Sequence, residues 1–261
     1  MKRILVTNDD GVLSRGLSAL VKALSRFGAV TIVAPVSEAS AIGHALTLHQ
    51  PLRFEQLSEH VYALDGTPTD CVNIAVTTIL DGLPDLVASG INKGLNLGDD
   101  VTYSGTVAGA LEGALLGVPS FAISLDGTQA AYDFTYASEA AARVAEAILQ
   151  RGLPPRTFLN VNVPAGRPKG FRATVQARRT HITTVSALKD PRGRPYYWIG
   201  EAEDSWEPHD RSDHQAILDG FVSVTPLQPD LTAHDALKLV EDMRLAQSGE
   251  GLVFDERAEV K

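Results

Sequence analysis

Lys2-Arg3-Ile4-Leu5-Val6-Thr7-Asn8-Asp9-Asp10-Gly11 is the stretch whose reading decides the fold. An apolar run stops at two adjacent carboxylates and a glycine. Leu13, Leu17, Leu20, Val21 and Leu24 then follow at spacings of three and four, which predicts a helix. Ala29 to Pro35 reads as a second strand, so two strands joined by one helix predict a right-handed parallel crossover. In an open α/β sheet the ligand site lies outside the carboxyl ends of the strands, which is where Asp9 and Asp10 fall. Adjacent carboxylates repel unless positive charge lies beside them, and a hard divalent cation supplies it through oxygen ligands. A second reading makes Asn8 and Asp9 a turn or a helix cap.

Working outward, each further strand runs into a loop that can face the same end. Val36 to His44, after the second strand, is polar and small and contains Ser40. Leu46 to Phe54 and Val61 to Leu64 predict a hairpin or edge excursion, and Pro68 opens a helix through Ile79. Leu86 to Ile91 is a buried strand leading into a loop with Asn92 and Asn96. Ser104-Gly105-Thr106 starts a helix rich in small residues, including Gly109 and Gly113. Glycine inside a helix costs ~1 kcal/mol relative to alanine, so this run implies something packed close to its backbone. Ser120 to Ser124 and Thr157 to Val163 are further strands, with a helix over Tyr136 to Leu149 between them.

The pattern changes after Pro164. Arg172 to Ser186 and Arg194 to Ile199 predict a long projecting hairpin with its turn at Asp190-Pro191-Arg192-Gly193. Phe221 to Thr225 is a returning strand and Asp235 to Met243 a short helix. The expected organisation is a Rossmann-like α/β core over residues 1–164, with a mostly parallel sheet and helices on both faces. An oligomerisation segment follows over 165–246, and 247–261 is expected to be a poorly ordered tail.

Composition narrows the function. The chain has 261 residues, 44% hydrophobic, and its 23 Lys plus Arg against 32 Asp plus Glu leave a net charge of −9. That argues against a nucleic-acid polymer as a stable partner. It leaves open a small anionic substrate beside a metal. One cysteine, Cys71, fits a reducing cytoplasm, and no run reaches membrane-spanning length.

Taken singly, several pieces have plainer readings. Ser104 is a good N-cap, Asn92 and Asn96 suit left-handed loop positions, and Ser40 suits a solvated loop. Lys93 with Gly94 to Gly98 resembles a phosphate loop, but the Walker sequence is not there. His44 and His49 lack helical spacing for zinc, and Cys71 precedes an apolar helix that does not activate a thiol. His209 to His214 reads as a solvated loop. Together, an Asp pair, a serine, asparagines and a Ser-Gly-Thr helix start on one side of a parallel sheet describe a hard-metal site beside an anion cradle. That combination suggests metal-assisted hydrolysis of a phosphate ester. A non-catalytic nucleotide-binding module is the rival, since it keeps the cradle but needs no Asp pair.

These residues resemble one family. Val6-Thr7-Asn8-Asp9-Asp10-Gly11, Ala34-Pro35 with Ser40, Gly66-Thr67-Pro68 with Asp70-Cys71-Val72, Ser89-Gly90-Ile91-Asn92 with Gly94 and Asn96, and Tyr103-Ser104-Gly105-Thr106-Val107 look like the SurE family. Asn160 to Pro164 and Gly220 to Leu227 match as well, so the likeness runs from about residue 2 to about residue 243. The resemblance implies a divalent-metal-dependent 5′/3′-nucleotidase acting on nucleoside monophosphates, and some members cleave short polyphosphate. It implies Asp9, Asp10, Ser40 and Asn92 as ligands of one magnesium or manganese ion per subunit. Asp9 or Asp10 would be the catalytic base or nucleophile. Asn96, Ser104, Gly105 and Thr106 would face the phosphate. It also implies a homodimer or homotetramer formed by exchange of C-terminal segments. Ala41 departs from the glycine that many members carry in that loop.

Overall fold

The computed structural model describes residues 1–39, 41–127, 132–180, 184–200 and 206–243. Strand β1 (Lys2–Thr7) is buried from Ile4 onward on both faces, which is why its sequence is a continuous apolar run. Helix α1 (Arg15–Leu24) is capped by the Ser14 hydroxyl and leads to β2 (Gly28–Pro35). β3 (Phe54–Ser58) and β4 (Val61–Leu64) form the edge excursion. Helix α2 (Pro68–Ile74) carries a Thr67–Asp70 capping box and continues as a π-helical turn to Ile79. Then come β5 (Leu86–Lys93), α3 (Gly105–Leu115), β6 (Ser120–Leu125), α4 (Thr135–Arg151) and β7 (Phe158–Val163).

The sheet does not stop there. β8 (Phe171–Ala173) and β11 (Val222–Leu227) extend it, giving nine strands in the order β3-β4-β2-β1-β5-β6-β7-β11-β8. The pairs from β4 to β7 are all parallel, while β3 against β4 and β11 against β7 are antiparallel. β9 (Thr184–Lys189) and β10 (Pro195–Gly200) form a separate two-stranded sheet, and α5 (Asp213–Leu218) precedes β11. Residues 1–229 form one compact unit. The described residues of the second unit, 230–243, hold a short 3₁₀ turn, His234–Ala236, that runs into α6 (Leu237–Asp242).

Side-chain alternation sorts the helices onto two faces. Ile4, Val6 and Ala88 pack in one cluster with residues of α1 and α4. Leu5 and Val87 point the other way, into a cluster with Cys71 and Val72 of α2. α3 lies on that second face, where a Cβ on Gly109 would stand 2.9 Å from both Ser89 Oγ and Thr7 Cγ2. The small-residue run in α3 is therefore a close-approach surface against β1 and β5. α1 and α4 share a face although β1→β2 and β6→β7 step in opposite directions, so those crossovers have opposite hands. By the strong right-handed preference the α4 connection is the left-handed one. The chain leaves β1 toward β2 and leaves β5 toward β6, which puts the switch point between β1 and β5.

Two expected elements differ. Residues 46–53 are not strand; side chains hold them instead. Thr47 N–H and hydroxyl donate to the Asp70 carboxylate at 2.9 and 2.6 Å, and the Thr67 hydroxyl donates to Ala45 O at 2.8 Å. The hairpin is also shorter than its sequence suggests. Arg172 belongs to β8 in the main sheet, and Val175 and Arg179 make single bridges to Ser212 and Trp206. The tail 247–261 lies outside the described residues.

Candidate functional site

Asn8 makes the turn after β1. Its Nδ2 donates to Gly11 O at 3.1 Å and to Ser14 Oγ at 2.8 Å. Because Asn8 and Ser14 supply the turn and the cap, both following carboxylates are left for other partners.

Asp9 turns toward α3. Thr106 donates its N–H to Asp9 Oδ2 at 3.1 Å and its hydroxyl to Oδ1, and Ala39 N–H donates to the Asp9 carbonyl at 2.8 Å. A Cβ on Gly105 would stand 2.9 Å from Asp9 Cβ, so glycine is what lets the carboxylate seat on the helix start. Burial pushes the Asp9 carboxyl above its usual range; the Thr106 hydroxyl pulls it down and the Asp10 charge pushes it up.

Asp10 turns toward β5. Lys93 Nζ lies 3.8 Å from its Oδ1, while Oδ2 is buried with no hydrogen-bond partner among the described residues. Burial raises this carboxyl too, Lys93 lowers it and Glu38 raises it. Asn92, one residue before Lys93, donates Nδ2 to Gly94 O at 2.9 Å.

The next loop is fastened to the sheet through Asn96. Its N–H donates to Asn162 Oδ1 at 2.8 Å and its Nδ2 to Ser124 Oγ at 2.7 Å, while its carbonyl accepts from Asn160 and Asn162. Ser104 caps α3 by accepting from Val107 N–H at 3.1 Å. Two of the amides at the start of α3 are therefore engaged, Thr106 by Asp9 and Val107 by Ser104. Ser40 lies outside the described residues. Its neighbours Ser37, Glu38, Ala39 and Ile42, with Thr47 and Thr67, line an open cavity of about 460 Å³. Among the described residues no group of three or more His, Cys, Asp and Glu side chains converges as a metal site. Asp9, Asp10 and Asn92 thus offer two carboxylates and an amide oxygen.

Two features were not legible in advance. Glu112, buried in α3, meets His44 Nε2 at 2.6 Å and accepts from Asn73 Nδ2 at 2.6 Å, pinning the loop after β2 to the helix. A glutamate in a small-residue helix was the available signal. The stretch His209 to His214, expected to be solvated, holds the buried Asp213. Its carboxylate accepts from Gly98 N–H at 2.9 Å, Ala177 N–H at 2.9 Å and His214 N–H at 2.8 Å. Backbone amides remote in sequence make that burial tolerable, and local pattern does not reveal them.

A family model described as Survival protein SurE matches residues 4–183. A 5′-nucleotidase SurE from Syntrophotalea carbinolica is 54% identical over 230 residues, covering 88% of this chain and 92% of that protein. A 5′-nucleotidase SurE from Geobacter sulfurreducens is 48% identical over 246 residues, covering 93% of this chain and 94% of its own length. The crystal structure of a SurE protein from Aquifex aeolicus superposes with a TM-score of 0.83 at 42% identity, covering 92% of this chain and 99% of that one.

Proposed function

The chain belongs to the SurE family, and from that premise we propose that it hydrolyses nucleoside monophosphates to nucleoside and inorganic phosphate with the help of a divalent metal. The general class is phosphoric monoester hydrolase, as the names of its relatives indicate. The observation that carries the metal reading is Asp10 Oδ2, buried and without a hydrogen-bond partner among the described residues, beside a second carboxylate. A hard cation with oxygen ligands satisfies such a pair.

Asp9, Asp10, Ser40 and Asn92 would hold one magnesium or manganese ion. When bound, it would supply positive charge to phosphoryl oxygens and make a water more acidic. The rest falls to the chain. Thr106 fixes the rotamer of Asp9, and the start of α3 places partial positive charge against that carboxylate. Asp10 is the better candidate for taking a proton, because both oxygens of Asp9 already accept from Thr106. Asn96, Ser104, Gly105 and Thr106 form the wall facing the phosphate, with Asn96 pinning the loop to β6 and β7. The cavity beside Ala39 leaves room for the nucleoside. Short polyphosphate presents the same terminal phosphoryl group and is a second substrate on this reading.

The assembly is a homodimer or homotetramer joined through exchanged C-terminal segments, with no nucleic-acid polymer as a stable partner. A cytoplasmic location is supported by the one buried thiol, Cys71. Among the described residues no helix is long and apolar enough to cross a membrane. The test is phosphate release from AMP, with EDTA and after restoring magnesium or manganese. Release that survives EDTA removes the metal from the reading, and no release under any metal removes the nucleotidase.

A further inference from the structure

We propose that Lys93 is the phosphate-binding cation of this site, a role that rests on the nucleotidase reading above. Across residues 8–11, 36–44 and 92–106 it is the single lysine or arginine, set against Asp9, Asp10, Glu38, Asp99 and Asp100. Asp9 and Asp10 alone balance the charge of one divalent cation, while a phosphate monoester arrives as a dianion at neutral pH. The site therefore needs another positive group to receive its substrate.

The helix start supplies less than its sequence suggests. Thr106 N–H is engaged by Asp9 and Val107 N–H by Ser104, so two of its amides already have partners. Asn96 N–H and Nδ2 are engaged by Asn162 and Ser124. Lys93 is differently placed. Its Nζ stands 3.8 Å from Asp10 Oδ1, beyond hydrogen-bond distance, and its side chain is 38% exposed. A loose, half-exposed ammonium at the edge of the Asp pair can turn to a phosphoryl oxygen without breaking a hydrogen bond. Lysine acts here as a point charge with three donors on a flexible stem, which suits a non-bridging oxygen.

The test uses the full chain as wild type, Lys93→Gln and Lys93→Arg, each loaded with metal. Inorganic phosphate is titrated calorimetrically, and AMP kinetics and metal half-activation are measured alongside. We expect Lys93→Gln to weaken phosphate binding and raise KM for AMP by ~10-fold or more, the scale of one lost charged hydrogen bond. kcat should stay within about 3-fold, because the contact is made equally in ground and transition states. Lys93→Arg should restore most of the phosphate affinity. Unchanged phosphate affinity in Lys93→Gln overturns the proposal. So does a change confined to metal half-activation, which would make Lys93 only a holder of Asp10. Equal weakening by arginine and glutamine overturns it as well, since shape rather than charge would then matter. Should wild type bind phosphate in a Lys93-dependent way yet release none from AMP, the nucleotidase reading fails and the phosphate role of Lys93 stands.

Discussion

Thr106 meets Asp9 with two donors, its backbone N–H to Oδ2 at 3.1 Å and its hydroxyl to Oδ1. The first carboxylate is thereby locked to the start of α3, while the second, Asp10, faces Lys93, whose Nζ stands 3.8 Å from Oδ1 and whose backbone N–H donates to the carboxylate. Adjacent residues of one type have been given different work by their partners. Asp9 is positioned, and Asp10 is left with a buried oxygen that has no hydrogen-bond partner among the described residues.

That asymmetry separates the two charge-removing variants. Asp9→Asn and Asp10→Asn should each lower kcat by ~100-fold or more, the scale of losing one electrostatic element of a catalytic site. Their stabilities should diverge. An amide at position 9 turns an NH₂ toward a Thr106 donor, and the mismatch should destabilise the fold by about 1–3 kcal/mol. An amide at position 10 relieves repulsion and should leave the metal-free protein as stable or more so. Thermal melts in EDTA, alongside AMP kinetics, check both. Near-normal turnover by Asp10→Asn at saturating magnesium removes that residue from the mechanism.

Gly105 tests the seating of Asp9 by shape alone. An added methyl would stand 2.9 Å from Asp9 Cβ and 3.1 Å from its Oδ2, and 3.3 Å from Ala39 O. Gly105→Ala should therefore displace the carboxylate. Gly105→Val should do so further and lose ~100-fold in kcat/KM, as misplacement by about 1 Å can. Wild-type kinetics for Gly105→Val would contradict a working centre at this turn.

The fold was legible where the sequence repeats a physical pattern. The apolar run of β1, the three-and-four spacing of α1 and the small residues of α3 each report burial that local sequence determines. So did the placing of Asp9 and Asp10 at a strand end. What stayed hidden depends on partners far along the chain. Asp213 sits in a polar stretch and is buried only because Gly98 and Ala177 bring amides to it. Thr106 reads as an ordinary second residue after a serine cap, and its hold on Asp9 spans 97 positions. Asn160 and Asn162 give a fainter signal, two amides at strand spacing inside an otherwise apolar strand, facing the loop they secure.

The raised Asp9 and Asp10 carboxyls set a pH dependence for metal binding. Their folded pKa values lie above the unfolded value of about 3.9. In the metal-free protein, their contribution to stability is fully present below that value. It is lost as pH rises through the folded values, because the folded state must then carry buried charge. A divalent ion requires both groups ionised and compensates that charge. The gain in Tm on adding magnesium or manganese should thus grow as pH rises from about 4, near the unfolded value, to about 7, above it. Melts with and without metal at both pH values decide it. An equal or larger gain at the acid end would sink the assignment of these carboxylates to the metal.

The last expectation concerns the ribbon of β9 and β10. Its register sets Tyr196 opposite Leu188, Tyr197 opposite Ala187, Trp198 opposite Ser186 and Ile199 opposite Val185. Side chains alternate along a strand, so Tyr196 and Trp198 occupy one face and Tyr197 and Ile199 the other. All four are exposed, with Trp198 at 64% and Ile199 at 77%. A two-stranded sheet is marginal in water, and this one presents apolar groups on both sides. Aromatic residues are enriched at interface cores, and burying these four would offset the entropy of holding the ribbon straight. A second copy of the chain is the partner that the proposed segment exchange supplies. Deleting residues 186–199 should leave the nine-stranded sheet folded, retain AMP hydrolysis and lower the oligomeric state by light scattering. A full-length protein that is strictly monomeric at micromolar concentration would sink the exchange, and an unchanged oligomer after the deletion would place the contact elsewhere.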